Sequence, residues 1–172
     1  MSAALLAGTP AAAQDVGAAW RKAAPALQAA GSGRLQWLAF GVYDAQLWVE
    51  PGFRAGAFES HAFALELRYL RDFSATDIAR RSLQEMRRAT RIETEDAQGW
   101  QAALQKVLPD VRAGDRVTGL HLPGKGLRFF VNGRPAGDIA DARFAALFFG
   151  IWLAPTTSEP QLRAALLEGA GR

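Results

Sequence analysis

Two groups of side chains in this chain have the chemistry to hold an anion. The first is Arg34, at the head of the aromatic and branched segment 34–50 (RLQWLAFGVYDAQLWVE), with Tyr43 in its second half. A guanidinium presents a rigid fork of N–H donors that matches a carboxylate or phenolate, and a phenol adds one O–H donor. A bend near Gly41 would let the two converge on one charged group. In an extended strand Ala45, Leu47 and Val49 share Tyr43's face and would line an apolar slot leading away from it. An anion clamp at the end of such a slot suits an amphipathic ligand, a fatty acid or a flavonoid-like phenol. The plainer alternative is an exposed strand-end arginine and an unrelated core tyrosine.

The second group is Arg80, Arg81, Arg87, Arg88 and Arg91, whose spacing stacks Arg80 with Arg87 and Arg81 with Arg88 on one side of a helix. Such a face could touch an anionic membrane surface or an acidic partner. It could equally be a solvated face neutralised by Asp77, Glu85 and Glu93. Nucleic acid is not expected as a partner. The net charge is +3, and no stacking aromatics interleave with the arginines.

Other chemistries lack their residues. With 0 cysteines there is no thiol nucleophile, disulfide or thiolate metal site. Gly124-Lys125-Gly126 lacks the remainder of a phosphate-binding loop, and no G-x-S-x-G elbow occurs. His61 and His121 have no carboxylate at metal-ligand spacing, so neither metal nor cofactor is expected. Glu93, Glu95 and Asp96 are explained by a helix N-terminus, whose dipole they complement.

The elements that must position these residues follow from periodicity. The chain has 172 residues, 49% hydrophobic and 22% charged, suited to one domain over 15–172. A helix is predicted over 15–30, ended by Gly31-Ser32-Gly33, and one or two strands over 34–50. A further strand covers 62–70, with Phe63, Leu65, Leu67 and Tyr69 on one face. Ser74 and Asp77 form a capping box for a helix carrying Ile78, Ala79, Leu83, Met86 and Ala89. Thr94 is read as the cap of a helix over 95–108. Strands at 117–123, 127–131 and 135–139 follow, the last two joined by Asn132-Gly133, a type I′ turn pair. Asp141 caps a helix over 142–149, and Ser158 one over 159–168. Helices and strands in this order indicate an α+β fold, an antiparallel sheet covered on one face by helices.

At the start, Ala11 and Ala13 fit the small-x-small pattern of signal-peptide cleavage before Gln14, although no basic n-region or long apolar core precedes them. Residues 1–13 are read as the remnant of a signal peptide or as a disordered N-terminus. The first reading implies a periplasmic or exported protein. No segment is apolar enough to span a membrane.

Four segments together carry a family resemblance: 33–50, LELRYLRDFSATDIAR (65–80), GDRVTGLHLPGKGLRFFVNGRPAGDI (114–139) and FAALFFGIWLAPTTSEPQLRAALL (144–167). In these the chain resembles the chalcone isomerase-like family, especially its exported bacterial members. The resemblance implies an open-faced β-sandwich with a ligand cleft between the sheet and its helices. It also implies an arginine on an early strand, matched by Arg34, and in the fatty-acid binders a tyrosine beside it, matched by Tyr43. Catalytic members place a tyrosine, a lysine and an asparagine on the helix after the third core strand, and Ile78, Arg81 and Glu85 stand at those places. Ile78 cannot donate a hydrogen bond to an enone oxygen. The expected function is therefore non-catalytic binding of a small amphipathic anion by Arg34, Tyr43, Ala45, Leu47, Ile78 and Arg81. The alternatives are an intramolecular lyase or isomerase with Arg34 as its electrophile, and a partner-binding scaffold whose cleft is closed by bulky side chains.

Overall fold

The computed structural model of the chain describes residues 18–171. Its frame is one antiparallel sheet of six strands whose spatial order is their order in the chain. They are β1 (Gln28–Trp37), β2 (Phe40–Val49), β3 (Phe63–Tyr69), β4 (Arg116–Leu122), β5 (Gly126–Val131) and β6 (Arg134–Ile139). Helices α2 (Ala75–Met86) and α3 (Thr94–Val107) connect β3 to β4, and α4 (Ala142–Leu153) and α5 (Pro160–Leu166) follow β6. A short 3-10 helix, Ala55–Ser60, lies between β2 and β3. The α+β order read from the sequence is the observed one. The signal-peptide reading of residues 1–13 falls outside the described residues.

Period-two alternation decides which face each strand buries. Tyr43, Ala45, Leu47 and Val49 of β2 and Phe63, Leu65, Leu67 and Tyr69 of β3 all face the helices and are buried. Facing them is α4, apolar nearly all round because both its sides are covered. Its Phe149 meets Phe63 edge-on at 4.7 Å, and its Phe148 meets Phe129 at 5.6 Å. Burying each such ring contributes about 1.5–3 kcal/mol.

The N-terminal part departs from expectation. The helix predicted over 15–30 is seen only as α1 (Ala18–Ala23), since Pro25 cannot continue a helix and the chain enters β1 at Gln28. This α1 packs on the sheet face opposite the other helices, where Trp20 joins Trp48, Ala64, Leu120 and Phe130 in a small second core. Gly31 and Gly33, expected to end a helix, sit inside β1. A Cβ on Gly31 would lie 2.1 Å from the Ala165 carbonyl oxygen, and one on Gly33 2.8 Å from the Leu162 side chain. Two missing side chains thus let α5 lie directly on the edge strand.

The caps are partly as expected. Ser74 Oγ accepts from the Asp77 N–H at 3.0 Å, and Asp141 accepts from the Phe144 N–H at 2.9 Å. Thr94 instead lies within α3, whose N-cap is Glu93. Ser158 is not a cap either: Glu159 holds that place in α5, and the Ser158 hydroxyl donates to Glu85.

Two hairpins in the sheet turn through paired residues with positive φ. Asn132 (φ 49°) and Gly133 (φ 78°) join β5 to β6 as predicted. Between β1 and β2 the same conformation is adopted by Leu38 (φ 48°) and Ala39 (φ 67°). The expected bend near Gly41 therefore lies earlier, at residues with no intrinsic preference for it, at a cost of about 1–2 kcal/mol each.

Gly31→Ala is expected to lower stability by at least about 2 kcal/mol, because the added methyl meets backbone rather than a movable side chain. Thermal unfolding should show a midpoint reduced by roughly 5 °C or more. An unchanged midpoint would contradict the direct seating of α5 on β1.

Candidate functional site

The register between β1 and β2 decides the composition of the site. Arg34 stands opposite Asp44, and Leu35 stands opposite Tyr43. Since neighbouring side chains in a strand point to opposite faces, Arg34 and Tyr43 lie on opposite sides of the sheet. They do not converge, and the clamp expected of the pair is not formed. The slip is a single residue, the smallest that exchanges the two faces.

On the outer face Arg34 is half exposed and grips Asp44 with both arms of its fork, Nε to Oδ1 at 2.6 Å and Nη2 to Oδ2 at 3.1 Å. Arg68 donates to the same Oδ2 at 3.2 Å. The Arg34 guanidinium foremost, with help from Arg68, holds the Asp44 carboxyl below the usual carboxylate range. Arg116 with Glu66, and Arg128 with Asp138, continue the polar surface across β3 to β6.

On the inner face the hydroxyl oxygen of Tyr43 accepts from Trp152 Nε1 at 2.9 Å. Tyr69, its direct partner across the β2–β3 ladder, lies edge-on to it with ring centres 5.9 Å apart. Among the described residues neither phenol donates its own O–H to an acceptor, and the Tyr69 side chain makes no hydrogen bond. Its hydroxyl is not among the sealed, unpartnered atoms, so it keeps a sliver of solvent access. Burial pushes both phenols well above the ordinary tyrosine range, leaving them protonated donors. At Tyr43 the Trp152 hydrogen bond and the Arg81 charge oppose that rise, while Glu159 and Glu85 add to it.

The remaining expected residues divide accordingly. Ala45 and Leu47 are buried on Tyr43's face, and Ile78 packs at the rim of the same core. Arg81 is on Tyr43's side of the sheet electrostatically, but it is largely exposed and pairs with Glu85 at 2.9 Å. Other arginines of this region are also engaged. Arg80 pairs with Asp77, Arg88 approaches Glu85 at 3.9 Å, and Arg91 pairs with Glu93 at 3.1 Å. Tyr69 and Trp152 were not foreseen as site residues. The alternation of 62–70 places Tyr69 on the correct face, but only the register shows that it meets Tyr43.

The histidines are built into the packing. His121 bonds the His61 carbonyl oxygen at 2.7 Å and stacks on Phe63 at 4.7 Å, and burial lowers its pKa so that it stays neutral. His61 Nδ1 meets Glu50 at 2.9 Å. Among the described residues no group of three His, Asp or Glu side chains could hold a metal ion, and no helix is long and apolar enough to cross a membrane. Among the described residues, two open concavities lie at the periphery. One of about 500 Å³ runs between α3 and β6, past Val107 and Gly137, and one of about 200 Å³ lies beside Pro25 and His121.

A family model described as chalcone isomerase-like matches residues 14–168. The chain belongs to the chalcone isomerase-like family. Among curated proteins it is similar to an uncharacterized protein of Haemophilus influenzae, 27% identical over 140 residues, covering 81% of this chain and 67% of that one. Among solved structures it is similar to a fatty-acid binding protein of Arabidopsis thaliana, with a TM-score of 0.65 at 10% identity. That match covers 83% of this chain and 87% of the other. At such identity it establishes the shared chalcone isomerase-like fold.

Arg34→Ala should change stability by less than about 1 kcal/mol, since Asp44 keeps Arg68 and the pair is exposed. The Asp44 carboxyl is depressed in the folded state, so its contribution is present above about pH 4 and is lost as the pH falls through its folded value. Denaturant titrations of both proteins at neutral and acid pH should therefore differ little and converge on acidification. A loss of several kcal/mol at neutral pH would mean that Arg34 holds something other than Asp44.

Proposed function

We propose that this protein binds, without chemical conversion, a small amphipathic molecule with a fatty-acid-like head, and that the head is received by Tyr43 and Tyr69. The observation that carries this reading is the pair of adjacent phenol donors with no acceptor. One carboxylate has lone pairs enough to accept from both phenols. Trp152 fixes the Tyr43 oxygen, so the Tyr43 O–H is turned elsewhere. Ala45 and Leu47 supply apolar surface on the same face, Ile78 closes the rim, and Arg81 supplies a positive charge within electrostatic reach. The fold shared with a plant fatty-acid binding protein supports the same class of ligand. Arg34 has no part in this site.

An intramolecular lyase or isomerase working through Arg34 is less well supported. Its guanidinium is occupied by Asp44 on the face opposite the phenols. A partner-binding protein without a small ligand is the second reading. It is favoured by the ring packing of Phe63, Phe129, Phe148 and Phe149 between sheet and helices, and by the peripheral position of both concavities.

Native mass spectrometry of protein purified from bacteria should show a bound lipid-sized mass. Tyr69→Phe removes a hydroxyl that has no protein partner, so the unliganded variant should be as stable as the wild type or more so. Its affinity for a medium-chain fatty acid, followed by calorimetry, should fall at least about tenfold for the loss of one hydrogen bond to a charged head. Arg34→Ala should retain the ligand. Absence of any adduct, or full affinity in Tyr69→Phe, would favour the partner-binding reading.

A further inference from the structure

Glu85 stands in the last turn of α2, where the helix dipole presents its negative end. Its side chain is only 11% exposed, so the carboxylate is also largely removed from water. Both circumstances oppose a negative charge. Partners from two directions hold it there. Arg81 Nη2 meets Oε1 at 2.9 Å, the Ser158 hydroxyl donates to Oε2 at 2.8 Å, and Arg88 Nε approaches Oε2 at 3.9 Å. The fold alone does not ask for a carboxylate. The amide oxygen of a glutamine would accept from Ser158 without the dipole opposing it.

The surroundings supply a reason for the charge. Ser158 belongs to the connection between α4 and α5, which Arg88 fastens to α2 a second time, its Nε donating to the Thr156 carbonyl at 3.4 Å. Thr157 donates to the Ile151 carbonyl at 2.6 Å and ties the connection back to α4. The next residue of α4, Trp152, donates to Tyr43. Glu85 thus lies at the corner where α2, the end of α4 and the Tyr43 phenol come together. Its charge and that of Arg81 are both felt at Tyr43. The two are opposite in sign and joined directly, so at the phenols they largely offset each other. Arg81 is otherwise lightly held. It is 65% exposed on a long stem, and its other arm reaches Gln84 Oε1 only at 3.4 Å.

We propose that Glu85 is a resident counter-carboxylate for the head site, keeping Arg81 engaged so that ligands are chosen by lone pairs and not by charge. This rests on the Tyr43–Tyr69 reading above. In the unliganded protein Arg81 lies on Glu85. A carboxylate head arriving at the phenols gains from Arg81 only what Glu85 gives up, and it meets the charge of Glu85 itself. An alcohol with the same tail neither attracts Arg81 nor is repelled. Glu85 is therefore a specificity-determining residue acting through Arg81.

The test compares octanoate with 1-octanol by calorimetry on the full chain at fixed low salt. Glu85→Gln keeps an oxygen for Ser158, so its unfolding midpoint should equal or exceed that of the wild type. Its octanoate affinity should rise about fivefold or more, while its octanol affinity stays unchanged. Arg81→Gln should weaken octanoate binding more in the Glu85→Gln background than alone, because only there is the guanidinium uncommitted. A purely structural Glu85 would move both ligands together. An unchanged ratio of the two affinities in Glu85→Gln, or an equal cost of Arg81→Gln in both backgrounds, would overturn the inference. If wild type still bound octanoate in a Tyr69-dependent way, the head site itself would stand. Absence of binding of either ligand by every variant would remove the head site, and the inference with it.

Discussion

The pairing of β1 with β2 is the constraint on which the other assignments depend. With Leu35 opposite Tyr43, the inner face of β1 presents Gly31, Gly33 and Leu35, and α5 can rest against bare backbone. A shift of one residue would turn Ser32 and Arg34 toward α5, where even a methyl group finds the Ala165 carbonyl in its way. Burying an unpaired guanidinium there would cost several kcal/mol more. The helix and the glycines thus enforce the register, and the register sends Arg34 outward to Asp44. Fold and site are fixed by the same contact.

Much of this arrangement was legible in the sequence. Alternation identified the buried faces of β2 and β3, Ser74 and Asp141 marked two helix starts, and Asn132-Gly133 marked a turn. These are local signals, each complete within a few residues. The position of the first turn was not legible, because Leu38-Ala39 carries no turn chemistry, while Gly41 nearby does. Misplacing that turn put Arg34 and Tyr43 on one face in prospect. The same kind of error made Gly31-Ser32-Gly33 a helix terminator, when its function is to admit α5. Ser158 had the composition of a cap, but a more distant partner, Glu85, took its hydroxyl. Tyr69 was placed on the right face but not recognised as a neighbour of Tyr43, since cross-strand pairing is not a property of either segment alone.

The chemistry available to the two phenols is limited by their burial. A phenol held far above its ordinary pKa is neither a base nor a nucleophile at physiological pH; it is a hydrogen-bond donor. Two such donors on one face, with the Tyr43 oxygen already fixed by an indole, are suited to receiving an acceptor. This agrees with Ile78 standing where catalytic relatives are expected to carry a tyrosine. The charges felt at Tyr43 are mixed, Glu159 and Glu85 against Arg81. Such a field tolerates a single negative head without strongly concentrating anions. Selectivity would then rest on hydrogen bonding and on the apolar tail.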